Sequence, residues 1–404
     1  MSPEDPPGDQ SAAPPLDGLL VADFSRVLAG PLASMFLGDL GATVIKVERP
    51  GSGDDTRSWG PPYVDAVTTY YTSVNRNKRS VALDLADPGD LPLAARLGRR
   101  ADVLLENYRP GKMAEFGLDA ATLADDNPGL VYCSISGFGT GAGADLPGYD
   151  FVAQAVGGLM SITGEPGGPP VKVGVALVDV LTGLHATIGI LAALRERDRS
   201  GCGQVVEVNL LSSLLSSLVN QGAAYINGAG VPSAMGNRHP SIAPYETLQA
   251  RDAPIAVAVG NDRQFAALAA CLDMSELAAD PRFATNRDRV ANRGALVAAL
   301  ESALSIDDAA SWTDRLQRCG VPCGPVNDIG AAIDLATSLG LSPVVRHPSE
   351  GERGIATLAN PITLTRSPVR YHRAPPELGA DDGAVRAWLS DDGAAQALGE
   401  SAGR

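Results

Sequence analysis

"LLVADFSRVLAGPLASMFLGDLGATVIKVE", residues 19–48, decides the fold. It opens on a short apolar run (19–24), passes through a helical stretch (30–41) and ends on a second β-rich run (43–48). Pro31 falls in the first helical turn, where a missing backbone N–H costs nothing. Strand, helix and strand in such close succession form a βαβ unit, in which the two strands lie parallel. The rhythm continues through SVALDL (80–85), a helix through LAARLG (93–98), DVLLENY (102–108) and LVYCSIS (130–136). The expectation is an α/β fold with a parallel, doubly wound sheet.

Two helical stretches follow, YDFVAQAVGGLMSITG (149–164) and one beginning at Asp179. QVVEVNL (204–210) reads as a strand leading into one long helix to residue 226. NGAGVPSAMGNRHPS (227–241) has the composition of a linker or mobile loop. PIAVAVG (254–260) and helices to residue 320 indicate a smaller α+β domain, and AVRAWLS (384–390) a last helix. The expected division is a disordered tail (1–15), a large domain (16–210), a linker helix and loop (211–240), a small domain (241–330) and a C-terminal segment returning to the large domain (331–404).

The chain has 404 residues, more than one core usually holds, and a formal net charge of −15. That balance argues against a basic groove for nucleic acid and against a polybasic membrane surface. An anionic ligand would be held by local Arg, Lys and backbone N–H groups. Neither the five cysteines (Cys133, Cys202, Cys271, Cys319, Cys323) nor the four histidines (His185, His239, His347, His372) show metal-ligand spacing, so no metal is expected and the cysteines read as thiols of a reducing compartment. The first fifteen residues lack the marks of a signal or transit peptide, and the apolar runs read as too interrupted to span a bilayer. A cytoplasmic location is the expectation.

A dinucleotide fold would place G-x-G-x-x-G after the first strand; here that position reads SRVLAG, with one glycine. GFGTGAG (137–143) has nearly the right spacing, but no helix opens directly behind it, and a flexible loop is the better reading. NRNKRS (75–80) and ENYRPGK (106–112) lie at strand ends. They are either solvated surface turns or contacts for an extended anionic ligand.

VKVGVALVDVLTGLHATIGILAAL (171–194) carries one carboxylate near its middle, Asp179. Apolar residues at Val180, Leu184, Ile188, Leu191 and Leu194 follow at helical spacing. Asp179 therefore reads as an N-cap, and a carboxylate kept ionised and aimed at a helix start also suits a nucleophile.

Taken in order, DFSRVLAGPLASMFLGDLGATVIKVERPGSGDDTR, NRNKRSVALDL, DVLLENYRPG, YCSISGFG, GYDFVAQAVGG and the Asp179–Gly183 turn resemble the family III CoA-transferases of the CaiB/BaiF type. The resemblance extends from residue 16 to PPELG (375–379). RVLAGP, DDTRSWGPPY, NLLSS and SIAPYETL are most similar to the succinyl-CoA:glutarate, or dicarboxylate, members. It implies a Rossmann-like large domain built from both chain ends, a small domain, and an interlocked ring-like homodimer.

It implies, too, an acyl-CoA thioester as co-substrate, a free carboxylic acid as acceptor and no permanently bound cofactor. Asp179 becomes the nucleophile that forms an aspartyl anhydride and then an aspartyl-CoA thioester, with backbone N–H groups at its helix start facing the oxyanion. Val27, Arg49, Leu83, Asn107 and Tyr108 match the CoA-binding positions, with Lys78 and Arg79 as further candidates. Oxalate-type members place Gln at the position of Leu28 and Arg near that of Glu115, so this chain departs from them. The related 2-methylacyl-CoA racemases need a Gly-His-Asp sequence where this chain has Gly148-Tyr149-Asp150, and Tyr149 is what transferases carry there. AMGNRHP (234–240) matches the family's mobile loop, which makes Arg238 or His239 the candidate partner of a substrate's distal carboxylate. The alternatives are a racemase and a non-catalytic CoA-binding protein.

Overall fold

A computed structural model describes residues 13–64, 66–347 and 354–391. Most of the expected tail, and residues 392–404, lie outside the described residues. The chain divides into two units, one comprising the described residues of 1–157, 174–223 and 342–404, the other residues 158–173 and 224–341.

The first unit is built on six strands: β1 (Leu20–Asp23), β2 (Thr43–Glu48), β3 (Lys78–Ala82), β4 (Val103–Glu106), β5 (Val131–Ser136) and β6 (Val205–Asn209). Their spatial order is β3-β2-β1-β4-β5-β6, and every neighbouring pair is parallel. The order reverses between β1 and β4, and a crevice at the carboxyl ends of such strands is where ligands bind in open α/β sheets.

Pleating sends alternate residues to opposite faces. Val21, Val44, Val103 and Val131 join one core with α1 (Ala29–Asp39) and α4 (Leu177–Ser200). Ala22, Ile45, Leu104 and Tyr132 join the other, under α2 (Leu91–Arg100) and the C-terminal α10 (Asp382–Ser390). With both faces covered the strands need apolar residues at consecutive positions, which is why they read as runs and not as alternation. Further helices of this unit include α3 (Asp150–Val156) and α5 (Leu210–Ser217), while the residues of α6 (Val219–Ile226) are divided between the two units. The single helix expected to residue 226 is broken: Val219 takes a left-handed φ of 41° and separates α5 from α6.

By length and composition α4 could cross a membrane, which corrects the expectation that no such run exists. Its start at Leu177 makes it longer than the sequence suggested. Ala186, Ile190, Ala193 and Leu194 pack into the core of the sheet, so the apolar surface is used inside the unit.

The second unit has an antiparallel sheet of β7 (Tyr245–Gln249), β8 (Pro254–Ala258) and β9 (Cys323–Pro325), with β8 central. Helices α7 (Asp262–Cys271), α8 (Arg293–Leu304) and α9 (Ala309–Arg318) close its core around Trp312. In the first unit β10 (Val344–His347) and β11 (Ile355–Leu358) pair antiparallel.

The NRNKRS segment is no solvated turn: Asn75, Arg76, Asn77 and Lys78 are all buried. Arg76 grips Asp39 through Nε and Nη2 at 2.9 and 2.7 Å, and its Nη1 donates to Leu358 O at 2.7 Å. Asp39 lies at the C-terminal end of α1, where the helix dipole disfavours a carboxylate, so the bidentate guanidinium is its compensation. Replacing Arg76 with Ala leaves Asp39 buried without a countercharge, held only by the side-chain amides of Asn77 and Asn360. Denaturant unfolding is expected to show a loss of about 3–5 kcal/mol, the cost of breaking a buried pair from one side.

Candidate active site

Between β1 and α1 the chain crosses the carboxyl edge of the sheet as Ser25–Leu28. Asn107, just beyond β4, clasps this crossover from both sides: its Oδ1 accepts from Arg26 N at 2.8 Å and its Nδ2 donates to Arg26 O at 2.7 Å. Val27 has a φ of 70°, a strained conformation for a β-branched residue. Strain of this kind costs on the order of 1–3 kcal/mol and persists only where the surroundings enforce it.

Above the crossover lies a cavity of about 290 Å³ lined by Arg26, Leu28, Tyr108, Arg109, Tyr149 and Asp179, with backbone from Gly137 to Gly139. Two close approaches build it. A Cβ on Gly183 would stand 2.6 Å from Ala29 O, so the glycine lets α4 lie against the start of α1. A Cβ on Gly137 would stand 2.5 Å from Gly148 Cα, and that contact brings Tyr149 to the wall. GFGTGAG is thus a loop that contributes backbone to the cavity.

Asp179 is not the N-cap of its helix. The cap position is Ala176, which has no side-chain acceptor, and Asp179 is the third residue of α4. The missing acceptor comes from Asp150, whose Oδ1 takes Val178 N at 2.8 Å and Asp179 N at 3.3 Å. Leu177 N donates to Val175 O and Val180 N to Ala176 O, so all four amides of the first turn are engaged. The expected oxyanion contacts from these amides are therefore corrected.

Burial, and then the neighbouring charge of Asp150, push the Asp179 carboxyl up to about 7. Tyr70, on a short helix (Thr69–Ser73), is raised to about 12 by burial and by the carboxylates of Asp179, Asp150 and Asp54. No histidine lines the cavity among the described residues.

A second cavity, of about 210 Å³, shares Arg26 and Tyr108 with the first and adds Arg49, Leu83, Lys112 and Phe116. Arg26 is thus common to both. Its guanidinium lies 5.2 Å from the Tyr108 ring centroid, Nη1 donates to Asp55 at 3.2 Å, and Nε is buried without a partner in the described structure.

Val27, Asn107 and Tyr108 therefore line the first cavity, and Arg49, Leu83 and Tyr108 the second. Lys78 is a correction. Its Nζ is enclosed and bonded to Asp23, Asn75 and Pro31 O at 2.9–3.0 Å, leaving no face for a ligand. Arg79 is turned to Asp381, 3.4 Å away. Arg238 and His239 belong to the second unit, where Arg238 Nε donates to Met235 O and His239 Nδ1 accepts from Ser241 N, each at 3.0 Å. Glu115 pairs with Lys112 at 2.6 Å. Sequence reasoning missed Arg26, Asp150 and Asp54. A cation directly after the first strand of an acidic chain is a signal that could have drawn attention to Arg26.

The first unit thus has a carboxylate-bearing cavity at the carboxyl edge of its parallel sheet, beside a second cavity that shares Arg26 and Tyr108 with it. The match to the model of CoA-transferase family III spans residues 16–382, and the chain belongs to that family. It is 41% identical over 377 residues to the succinyl-CoA:glutarate CoA-transferase of Mus musculus, covering 93% of this chain and 86% of that one. It is 42% identical over 353 residues to the acetyl-CoA:oxalate CoA-transferase of Acetobacter aceti, covering 87% and 89%. A crystal structure of a CaiB/BaiF family protein from Brucella suis superposes with a TM-score of 0.83 at 41% identity, covering 94% of this chain and all of that one. The protein is a family III CoA-transferase, with a coenzyme A thioester as co-substrate.

Because its folded value is raised, Asp179 contributes stability while protonated and loses that contribution as pH rises toward about 7. Asp179→Asn is accordingly expected to melt higher than the unchanged protein at pH 8, with the difference narrowing below pH 7 and closing only near the ordinary carboxylate value, about pH 4. Equal melting shifts at both pH values would show that Asp179 ionises normally.

Proposed function

We propose that the enzyme moves CoA from succinyl-CoA to a dicarboxylic acid, with Asp179 as covalent relay. The observation that carries this reading is the half-buried carboxylate of Asp179, raised to about 7, in a cavity with two tyrosines and two arginines in its walls. Poor solvation leaves its ionised form reactive, and at neutral pH a useful fraction is ionised.

Ionised Asp179 attacks the thioester carbonyl, forms a mixed anhydride and releases CoA thiolate. The thiolate attacks the aspartyl carbon of that anhydride, which frees the donor acid and leaves an aspartyl-CoA thioester. The acceptor carboxylate displaces CoA thiolate in turn, and the thiolate takes the new acyl group, restoring Asp179. Each step exchanges one activated acyl bond for another, so no external energy is needed. With the α4 amides engaged, the hydroxyl of Tyr149 is the donor placed to meet the developing oxyanion.

Arg49, Leu83, Asn107 and Tyr108 hold the nucleotide and pantetheine, and Arg26, whose partly exposed guanidinium stands at the walls of both cavities, meets an anionic group of CoA. Near-equal identity to glutarate and oxalate enzymes leaves the acceptor to local residues. Leu28 is one: an apolar wall there suits an acid with methylene carbons better than oxalate. Arg238 or His239 takes the distal carboxylate. The same reading has two chains interlocked as a homodimer. A racemase lacks support, because the cavity offers no histidine to oppose Asp179 among the described residues.

The test is mass-spectrometric exchange between succinyl-CoA and a panel of carboxylic acids. Glutaryl-CoA or another dicarboxylyl-CoA should form with the unchanged protein and not with Asp179→Ala. Its kcat/KM should fall about tenfold per pH unit below about 7, as the nucleophile becomes protonated. Product from Asp179→Ala, or deuterium uptake into a 2-methylacyl-CoA, would overturn the mechanism. For the acceptor pocket, Arg238→Ala should weaken dicarboxylate acceptors more than monocarboxylates; equal losses remove Arg238 from that role.

A further inference from the structure

Val27 has a left-handed backbone, and three contacts surround it that transfer chemistry alone does not explain. Its N–H donates to Asp54, 3.3 Å from Oδ1 and 3.2 Å from Oδ2. Asp54 is itself enclosed, paired with Lys46 at 2.9 Å, and accepts from Thr56 N and Thr56 Oγ1. Lys46 Nζ also donates to Ser25 O at 2.9 Å, two residues before Val27. Both partners of the pair have side chains with no exposed surface.

We infer that Asp54, fixed by Lys46, is a positioning residue that forces Val27 into its strained turn and so sets Leu28 and Ala29 in the cavity wall they share with Asp179. Asp54 touches neither substrate nor the reacting carboxylate in this scheme. It acts through Val27. A turn that relaxed to ordinary backbone angles would swing Arg26 away from the junction of the two cavities and Leu28 out of the acceptor wall. The inference rests on the transferase reading for its consequence in turnover, and on the geometry alone for the strain.

Three measurements test it. Asp54→Asn turns one of the two oxygens into a donor and removes the charge facing Lys46. In the identity exchange of succinyl-CoA with isotopically labelled succinate, it should lower kcat by about tenfold to a hundredfold, the effect of a small misplacement remote from the bond that breaks. Combined with Val27→Gly, which removes the strain, the same Asp54 substitution should cost less than about threefold relative to Val27→Gly alone. Equal costs in both backgrounds overturn the inference.

The second measurement needs no turnover: amide hydrogen exchange in the peptide spanning residues 24–30 should rise in Asp54→Asn, and unchanged protection overturns the inference. The third covers the case in which Asp54→Asn does not fold. At a left-handed position Val27→Gly must melt above Val27→Ala, whereas at an ordinary position alanine melts higher. An inactive unchanged protein would refute the transferase reading; amide exchange would still decide the role of Asp54, and the melting comparison would still decide whether Val27 is strained, without which the inference falls.

Discussion

Two lysines on neighbouring strands, Lys46 on β2 and Lys78 on β3, are fully enclosed beneath the functional edge of the sheet. A buried ammonium without a partner costs several kcal/mol, so the fold must deliver a carboxylate to each. Asp23 at the end of β1 meets Lys78 at 3.0 Å, and Asp54 in the loop after β2 meets Lys46 at 2.9 Å. These pairs pin β1, β2, β3 and the crossover together at the point where the site is built. Burial alone would raise both carboxyls, yet the lysines, with hydrogen bonds from Ser25 and Ser34 to Asp23 and from Thr56 to Asp54, together outweigh it and hold both below the usual carboxylate range. For Lys46 burial works against the charge, and Asp54, Asp23 and Glu48 together more than offset it.

Asp179 is treated in the opposite way. Burial raises it first, and the like charge of Asp150 second. One small region therefore contains carboxylates held firmly ionised and one kept close to neutrality, the pattern by which structural and reactive acids separate. Asp150 has a double part: it supplies the cap that α4 lacks in its own sequence, and its charge raises Asp179. The energy stored at Asp179 and at Val27 is offset by the pairs below them and by the two packed faces of the sheet.

The family relationship defines the chemistry more sharply than the acceptor. Glutarate and oxalate enzymes are about equally similar to this chain over most of its length. Discrimination between acids that differ by methylene groups is worth only about 1–3 kcal/mol in an apolar pocket, and a few wall residues such as Leu28 can supply that.

The sequence by itself determined the parallel sheet of the first unit. Strands buried on both faces write themselves as apolar runs, and β1, α1 and β2 fall almost where residues 19–48 put them. It also determined the family, because the ordered motifs at the carboxyl ends of the strands are local in the chain. Tertiary structure alone decided what the charges do. NRNKRS looked like solvent-facing polarity, yet Arg76 and Lys78 meet Asp39 and Asp23, 37 and 55 residues away. The cap of α4 is likewise 28 residues upstream, at Asp150, so the sequence placed it wrongly on Asp179. A hydrophobic period is written in neighbouring residues, whereas a charge finds its partner only when the chain has folded.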